Sequence, residues 1–387
     1  MMMNYKIKRF FSQVHSTNSV WWSNRDGICF LFKTTFSSNS SELCKGAKIL
    51  SFTHVVVPNS SLELFAQKID NTRYLYLHFC TISRVYLPPG LVKLSIVFPV
   101  KPIEIVIAQN ESYRLKEIEL MNFENLPAQI NHLQSLENFQ CKSTPVYELD
   151  FKLFAKMDNL TILQMVKTST TDVVFSKLRQ FHLLRMFIFC RSHLSTLNAT
   201  SWNFPSLEEL DLSYNHFTIL PQQIATFGNL IRLSMRHNQL EYIDMSIFAG
   251  LRRLAILDLQ GNQISSITGE LKLPMLTNLR LEANRLGELD VSQWYLPALT
   301  RISLGSNFLK SVVNFTKCFS GAIFIELHEG QWDCNWLKEI GHLIRGMIIG
   351  SIQQNSSIQH CYALRYSMTE SSIVEMYVNG TTQRHPL

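Results

Sequence analysis

The amino-acid sequence predicts an α/β solenoid, in which stacked coils carry short parallel strands on one face and a cap closes each end. Three observations predict it. A segment of the form LxxLxLxxNxL recurs five times in register between residues 207 and 309. Apolar residues between the copies suit a return arc, and a polar stretch with two tryptophans and a cysteine, GQWDCNWL, follows the last regular copy. Because one coil cannot bury its apolar face alone, this period predicts stacking.

The five regular copies read LEELDLSYNHF, LIRLSMRHNQL, LAILDLQGNQI, LTNLRLEANRL and LTRISLGSNFL. Their asparagines are spaced 23, 24, 22 and 23 residues apart and are Asn215, Asn238, Asn262, Asn284 and Asn307. This is the leucine-rich-repeat pattern, and it predicts a horseshoe with the parallel strands on its concave face. An asparagine amide both donates and accepts hydrogen bonds, so we expect a structural ladder that satisfies the backbone groups of the turns.

Looser copies extend the repeat frame in both directions. AIFIELHEGQW puts Gly330 in the asparagine slot, and Ser192, Thr168, Thr144 and Cys80 occupy it in earlier copies. About eleven repeats are therefore predicted over residues 72–332. The other predicted parts are an unstructured lead or an incorrect start (1–28), an N-terminal cap with a first degenerate coil (29–71), a C-terminal helical cap (333–365) and a tail (366–387).

Two cysteine pairs mark the predicted caps. Cys29 and Cys44 bracket a short polar stretch before the first coil, as an N-terminal cap would, and we expect them to be joined. At the other end, Asp333 is placed to cap a helix whose apolar residues recur at helical spacing. A disulfide from Cys334 to Cys361 would close a loop of about 27 residues and add roughly 3 kcal/mol of stability.

The remaining cysteines are left unpaired by the pattern. Cys141 occupies an inward strand position and is predicted to be a buried thiol. Cys190 is predicted to face out on the concave sheet, where an unpaired thiol and an intermolecular disulfide both stay open, and the same holds for Cys318. Since the eight cysteines contain no CxxC pair, the sequence predicts neither a metal site nor a cofactor.

Composition and motifs exclude several functions. The net charge of +6 is not concentrated in a basic run, so the sequence does not predict a nucleic-acid-binding surface. No stretch reaches 18 apolar residues, which predicts no membrane span. The chain also lacks a G-x-S-x-G motif and a phosphate-cradling glycine loop, so a protein without enzymatic activity is predicted.

Export is predicted from sequons, although the N-terminus does not support it. Its best apolar run, GICFLF, is shorter than the core of a signal peptide. Either the chain is not secreted by the standard route or its start is incorrect. The sequons at Asn39, Asn59, Asn110, Asn159, Asn198, Asn314, Asn355 and Asn379 indicate glycosylation, with Asn159 the least favoured because it abuts a strand.

The predicted partner-binding surface is the concave face of the regular repeats, because its outward side chains vary freely while the core is fixed. Four arginines on it suggest a basic stripe, and tyrosine and arginine are favoured at interfaces. An ordinary solvated face is the alternative. The predicted binding residues are Asp211, Tyr214, Arg232, Arg236, His237, Asp258, Arg280, Glu282 and Arg301.

One motif carries a narrower resemblance. The run ELHEGQWDCNWLKEI, with IQHCYAL some 25 residues later, resembles the end of the repeat domain in the mosquito leucine-rich-repeat immune family. The resemblance implies secretion into haemolymph, and some members work as disulfide-linked pairs that hold a complement-like thioester protein. No cysteine cluster and no heptad pattern follow Cys361, so the chain resembles a coil-less member.

Together these features predict a secreted recognition or scaffold protein of insect innate immunity. Its predicted partners are proteins, such as a complement-like thioester protein or another leucine-rich-repeat protein, or else pathogen surfaces. Two other classes stay open. One is an intracellular leucine-rich-repeat adaptor in the cytoplasm, and the other is the ectodomain of a cell-surface adhesion or receptor protein.

Overall fold

The computed structural model describes residues 20–23, 27–36, 44, 46–109, 111–127, 129–174, 179–197, 202–340, 374–378 and 381–385. The chain divides into two compact units, residues 1–145 and 146–387. Each unit is a parallel β-solenoid. Every coil adds one strand to a parallel sheet and then returns along the opposite side of the coil.

The first unit has its parallel sheet built from Ile28–Phe32, Ile49–Thr53, Tyr74–His78, Lys93–Val97, Glu117–Met121 and Asn138–Lys142. Its return side carries the short parallel pair Arg84–Tyr86 and Glu104–Val106, the helix Leu62–Ile69, and the 3-10 turns Asn59–Ser61 and Ile130–His132. The strand Val20–Ser23 adds antiparallel to Ile28–Phe32.

The sheet begins earlier than the sequence predicts. Ile28–Phe32 and Ile49–Thr53 pair in parallel ahead of residue 72, where the repeats were expected to start, so 29–71 holds more than a cap and one coil. Their inward side chains, among them Leu31 and Phe52, are fully buried. The repeat frame missed these coils because neither has an asparagine at the expected slot, which Thr34 and Val55 occupy. The prediction of an unstructured lead is also wrong for residues 20–23, which form a strand.

The second unit repeats the arrangement with shorter strands. Its parallel sheet contains Ile162–Val166, Met186–Cys190, Glu209–Asp211, Arg232–Ser234, Ile256–Asp258, Asn278–Arg280, Arg301–Ser303 and Phe324–Glu326. The return side has parallel pairs of Glu148–Asp150 with Asp172–Val174, Arg179–Gln180 with Trp202–Asn203, Tyr242–Asp244 with Ser266–Thr268, and Leu271–Lys272 with Trp294–Tyr295.

Short helical turns complete the return side of the second unit. They are the 3-10 turns Phe151–Phe154, Gln222–Thr226 and Met245–Phe248 and the helices Phe315–Cys318 and Cys334–Glu339. Asp244 begins one of them by accepting a hydrogen bond from the Ser246 amide at 3.0 Å. The predicted tail contains an antiparallel hairpin, Val374–Val378 with Thr381–His385.

The inward residues of the repeat form the core. Leu257, Leu259 and Leu254, at the fourth, sixth and first positions of one coil, are all fully buried, and equivalent residues are buried in the neighbouring coils. Burial of each such side chain contributes roughly 1.5–3 kcal/mol before the entropy cost of folding. Because the core fixes the inward residues, the outward residues of the strands are the ones that can contact other molecules.

Each strand of the long parallel sheet in the second unit is followed by a left-handed turn. The residue before the asparagine slot has a positive φ of 55° at Arg191, 56° at Tyr214, 52° at His237 and 68° at Gly261. A non-glycine residue in this conformation costs about 1 kcal/mol or more, so the rest of the coil must hold the turn.

The asparagine amides hold these turns. The Nδ2 of Asn262 donates to the carbonyl oxygens of Leu259 at 2.9 Å and of Met235 in the preceding coil at 3.1 Å. Its Oδ1 accepts from the amide of Leu240 at 3.2 Å. Asn215, Asn238, Asn284 and Asn307 make equivalent bonds.

Threonine, serine or cysteine occupies the asparagine slot in several of the degenerate coils, and each of these side chains is shorter than that of asparagine. Thr144 receives a hydrogen bond from the amide of Phe123 at 3.3 Å in the first unit. In the second unit, the hydroxyls of Thr168 and Ser192 lie 2.9 Å apart. Cys80 directs its thiol to the carbonyl oxygen of Phe52 at 3.3 Å. Each of these residues therefore makes part of the hydrogen bonding that an asparagine makes in this slot.

The C-terminal cap begins as the sequence predicts. The Asp333 carboxylate accepts from the amides of Asn335 at 2.7 Å and Trp336 at 3.0 Å, which starts the helix Cys334–Glu339. Trp336 is buried against Trp332, with ring centroids 4.9 Å apart. Cys334 is disulfide-bonded, whereas Cys361 and most of the predicted cap lie outside the described residues. At the other end, Cys29 and Cys44 form a disulfide with Cα atoms 5.4 Å apart.

Candidate partner-binding surface

The solvent-facing side of the parallel sheet in the second unit, here called the sheet face, carries all nine predicted binding residues. They fall on four different rows, two on the strands and two in the turns that follow them. Arg232 and Arg301 stand at the first strand position, and Asp211, Asp258 and Arg280 stand at the third. Tyr214, Arg236, His237 and Glu282 lie in the turns just after the strands.

The predicted basic stripe is wrong. The register aligns Arg232 with Ile256, and Arg301 with Asn278, in the first row. Arg280 and Arg236 belong to other rows. Repeat spacing alone predicts which coil a residue occupies, but a stripe also needs the same position within each coil.

Two of the four stripe arginines have a carboxylate partner, and the other two lie over an aromatic ring. Arg232 lies 3.9 Å from Glu209, and Arg280 lies 3.3 Å from Asp258. The guanidinium of Arg301 lies over the ring of Phe324, 4.7 Å from its centroid. The two ion pairs offset part of the positive charge on this face, whereas Arg301 keeps its charge over the aromatic ring.

Asp258 differs from its predicted role as an exposed binding residue, because only 6% of it is exposed. Its carboxylate accepts from the amide of Gln260 at 3.2 Å and pairs with Arg280. Asp211 makes the same turn contact with the amide of Ser213 at 2.9 Å. Both aspartates therefore stabilise the turn that follows their strand.

Four residues of three consecutive coils come together at one place and form what we call the arginine–tyrosine cluster: Arg191, Tyr214, Arg236 and His237. The guanidinium carbons of Arg191 and Arg236 lie 4.2 and 5.3 Å from the centroid of the Tyr214 ring. The His237 ring stacks on the same tyrosine, with centroids 4.4 Å apart and planes at 22°. Cation–π contact and ring stacking therefore order all four side chains.

Arg191 was not predicted, although the repeat frame contains it. In LRMFIFCRSHL it holds the eighth position, which Tyr214 and His237 hold in the next two coils. The predicted binding residues all belong to the regular asparagine-bearing coils, whereas this coil has Ser192 in the asparagine slot. Alignment of the eighth position across all coils would have found it.

The electrostatics of the cluster follow from burial and from the arginines. Burial lowers the pKa of His237, and the positive charge of Arg236 lowers it further. Burial also raises the pKa of the neighbouring Cys190 thiol to about 11, with the charge of Asp211 adding to the effect. Cys190 and Cys318 are both free thiols, and a raised pKa disfavours the reactive thiolate in each.

Glu282 occupies an unusual position further along the sheet face. Burial raises the pKa of its carboxyl group to about 7, and the negative charges of Asp258 and Glu326 also raise it. One buried carboxylate oxygen has no hydrogen-bond partner among the described residues. Glu282 is therefore a half-buried carboxyl group with an unsatisfied oxygen, and it is a weaker candidate for direct contact with a partner.

The first unit carries a separate aromatic row on its own sheet, which the sequence did not predict. The ring of Phe79 stacks between those of His54 and Phe98, with centroid distances of 4.9 and 5.3 Å. Phe79 and Phe98 stay 41% and 37% exposed. All three residues occupy the left-handed turn position, so the same alignment of coils that reveals Arg191 would have revealed this row.

The predicted glycosylation sites are only partly placed. Asn59, Asn159 and Asn314 are exposed, and Asn59 and Asn314 hydrogen-bond to the hydroxyls of Ser83 and Ser292. Asn39, Asn110, Asn198, Asn355 and Asn379 lie outside the described residues. Within the described ranges, no three potential ligands gather into a metal site, and no helix has the length and apolar character needed to cross a membrane.

Comparisons with known proteins agree with this architecture. The profile of the leucine rich repeat family matches residues 205–264. Rabbit lumican is 34% identical over 123 residues, which are 30% of this chain and 57% of lumican. Four other curated relatives are matched over 9% to 31% of their length. The chain therefore spans less than two thirds of the curated relatives it matches.

Solved structures share the fold at low identity. A Leptospira interrogans leucine-rich-repeat protein superposes with a TM-score of 0.62 at 20% identity, covering 85% of this chain and 92% of that one. The leucine-rich-repeat chain of FLRT2, from an octameric complex with Latrophilin 3 and Unc5D, gives 0.50 at 14% identity, with 81% and 82% coverage. The chain is a leucine-rich-repeat solenoid.

Proposed function

We propose that the chain is a recognition or scaffold protein without enzymatic activity, which binds a protein partner through the sheet face of its second unit. The observation that carries the proposal is that the inward and outward residues of each strand have different roles. Inward leucines and the asparagine ladder are committed to the core, whereas outward residues differ from coil to coil. The arginine–tyrosine cluster gives this face an ordered group of the residue types that dominate interfaces.

The finer proposal places this activity outside the cell, in insect innate immunity. It is supported by the resemblance of ELHEGQWDCNWLKEI to the mosquito family, by disulfide-bonded cysteines in both caps, and by exposed sequons. On this proposal the protein works in haemolymph, and its partner is a complement-like thioester protein, another leucine-rich-repeat protein or a pathogen surface.

Peptide mass spectrometry of the natural protein separates this setting from an intracellular adaptor. Glycan on the Asn59 or Asn314 peptide, together with an oxidised Cys334 peptide, supports an extracellular protein. Bare asparagines and free thiols, found only in cell lysate, would favour the adaptor. Release by detergent but not by salt would favour the ectodomain of a cell-surface protein.

Site-directed photo-crosslinking tests the binding proposal itself. A benzophenone amino acid replaces Ser234, which is half-buried on the sheet face, or Tyr295, which is 61% exposed on the return side. Each variant is irradiated in haemolymph and in cell lysate. A discrete protein adduct from position 234 alone supports the proposal, whereas no adduct, or equal adducts from both positions, would contradict it.

A further inference from the structure

We propose that the arginine–tyrosine cluster is an anion-recognition site that takes an acidic side chain of the protein partner. This inference rests on the proposed function and names the chemistry of the partner at one place on the sheet face. The ligand class is a short segment rich in aspartate or glutamate, bound through carboxylate groups.

The first argument is that the cluster leaves its hydrogen-bond donors unused. Arg191 and Arg236 contact Tyr214 through the flat side of the guanidinium, at 4.2 and 5.3 Å from the ring centroid. Neither side chain forms an ion pair or a hydrogen bond with another described residue. A guanidinium has five N–H donors in its plane, so stacking orders the group while its edge stays free for a carboxylate.

The second argument is contrast with the neighbouring arginines. Arg185 lies 2.7 Å from Glu208, Arg232 lies 3.9 Å from Glu209, and Arg280 lies 3.3 Å from Asp258. These three arginines are thus matched with a carboxylate of the adjacent coil, whereas Arg301 lies over the ring of Phe324. The cluster brings two unmatched guanidinium groups to the same aromatic ring.

The third argument is that the backbone fixes the cluster before a partner arrives. Arg191, Tyr214 and His237 occupy the left-handed turn in three consecutive coils, with φ of 55°, 56° and 52°. Tyr214 donates its amide to the carbonyl oxygen of Arg236 at 2.9 Å, and Arg191 donates to that of Ser213 at 2.9 Å. Binding therefore orders little additional chain, which favours affinity.

The surroundings favour a short acidic segment over an extended polyanion. Asp211 and Asp258 act electrostatically on Cys190 and His237 at the cluster, and Glu209 and Glu282 lie on the same face. These carboxylates on the same face would repel a long sulfated chain laid across the coils. A single carboxylate that approaches the guanidinium edge of Arg191 or Arg236 need not cross these carboxylates and can accept charge-assisted hydrogen bonds.

The test measures binding of a fluorescent ten-residue peptide with alternating glutamate and glycine, by fluorescence anisotropy at two salt concentrations. The variant Arg191→Glu/Arg236→Glu should bind about tenfold or more weakly than the wild type, because both charge-assisted contacts are lost. Arg252→Glu/Arg285→Glu changes the net charge equally at exposed sites outside the cluster, and should bind within about twofold. A glutamine peptide should bind no variant.

Three outcomes would overturn the inference. Equal weakening in both double variants would indicate bulk electrostatics, and equal binding of the glutamine peptide would remove the role of charge. Tighter binding of a sulfated oligosaccharide through the same two arginines would assign the site to another ligand class. If the adduct from position 234 persists while charge reversal changes nothing, the sheet face still binds a partner and only the acidic-segment inference fails.

A folding control accompanies the binding measurement. Arg191→Lys/Arg236→Lys keeps both charges but removes the planar stacking group and its forked donors. We expect intermediate affinity and an unchanged thermal transition. Affinity equal to the wild type in this variant would contradict recognition by stacked guanidinium groups.

Discussion

The indole nitrogen of Trp332 donates a hydrogen bond to the carbonyl oxygen of Leu327 at 2.7 Å, and so replaces an asparagine that the last coil lacks. In the two preceding coils, Asn284 and Asn307 donate to the equivalent carbonyl three residues before them, both at 2.9 Å. Position 330 holds a glycine, because a Cβ there would overlap the indole ring. The cap therefore continues the asparagine ladder with a different donor.

The first prediction concerns this substitution of donors. Trp332→Phe removes the N–H and leaves the buried carbonyl of Leu327 without its partner, which should lower the free energy of unfolding by about 1–3 kcal/mol. Urea denaturation followed by circular dichroism measures it. Trp294→Phe is the matched control, since the described contacts of that indole are ring packing alone. An equal loss in both variants would mean that ring volume, and not the hydrogen bond, matters.

The second prediction concerns the ladder in mid-stack. Asn262→Ala unpairs the carbonyl oxygens of Leu259 and Met235 and the amide of Leu240, and should cost about 2–4 kcal/mol. Asn229→Ala removes two exposed hydrogen bonds, one donated to the carbonyl oxygen of Pro205 and one accepted from Arg253, and should cost about 0.5 kcal/mol. Limited proteolysis should cut the Asn262 variant faster. Similar protease resistance in the two variants would contradict a structural ladder.

The third prediction is a dependence of stability on pH. The pKa of Glu282 is raised to about 7 by burial, so the folded state prefers the protonated carboxyl. The penalty for ionising it is absent below the ordinary pKa, grows as pH rises towards 7, and is complete above 7. Glu282→Gln should match the wild type near pH 4.5 and exceed its stability by about 1–2 kcal/mol at pH 8, allowing for partial exposure of the group.

Thermal denaturation across this pH range checks the Glu282 prediction. Glu241→Gln changes an exposed glutamate and serves as the control, with the same transition as the wild type at every pH. A Glu282→Gln variant that is less stable than the wild type at pH 8 would mean that the carboxylate makes a favourable contact there.

The fourth prediction concerns the N-terminal disulfide. Cys29 and Cys44 are separated by 15 residues, and closure of a loop of this length stabilises a fold by roughly 3 kcal/mol. Cys29→Ala/Cys44→Ala should therefore raise hydrogen exchange in Ile28–Phe32 and Ile49–Thr53. Cys318→Ser changes a half-buried free thiol and should leave both strands protected. Unchanged exchange in the double variant would show that packing alone holds the first coils.

Much of the fold was predictable from the sequence because each repeat places its apolar residues at the positions that pack against the neighbouring coils. The periodic leucines and asparagines, the capping role of Asp333 and the burial of Trp336 all follow from local pattern. The first coils were not predictable in this way, because ILSFT fits a buried strand but carries no asparagine to set the frame.

The candidate site was harder to predict than the fold. One repeat of sequence separates Arg191 from Tyr214, and another separates Tyr214 from His237. Only the backbone register shows that the Tyr214 ring contacts three other side chains. The burial of Asp258 depends on its pairing with Arg280 in the next coil, which no single repeat reveals. Contacts between coils, and not residue types within them, decide which side chains remain available.

Hydroxyl-radical footprinting of the partner complex tests the central claim most directly. The partner captured by crosslinking is added to the full chain, and oxidation is followed by mass spectrometry. We predict protection of Met186, Tyr214 and His237 on the sheet face, with Tyr242 and Tyr295 on the return side oxidised as in the free chain. Protection of Tyr242 and Tyr295, with Tyr214 unchanged, would contradict binding through the sheet face.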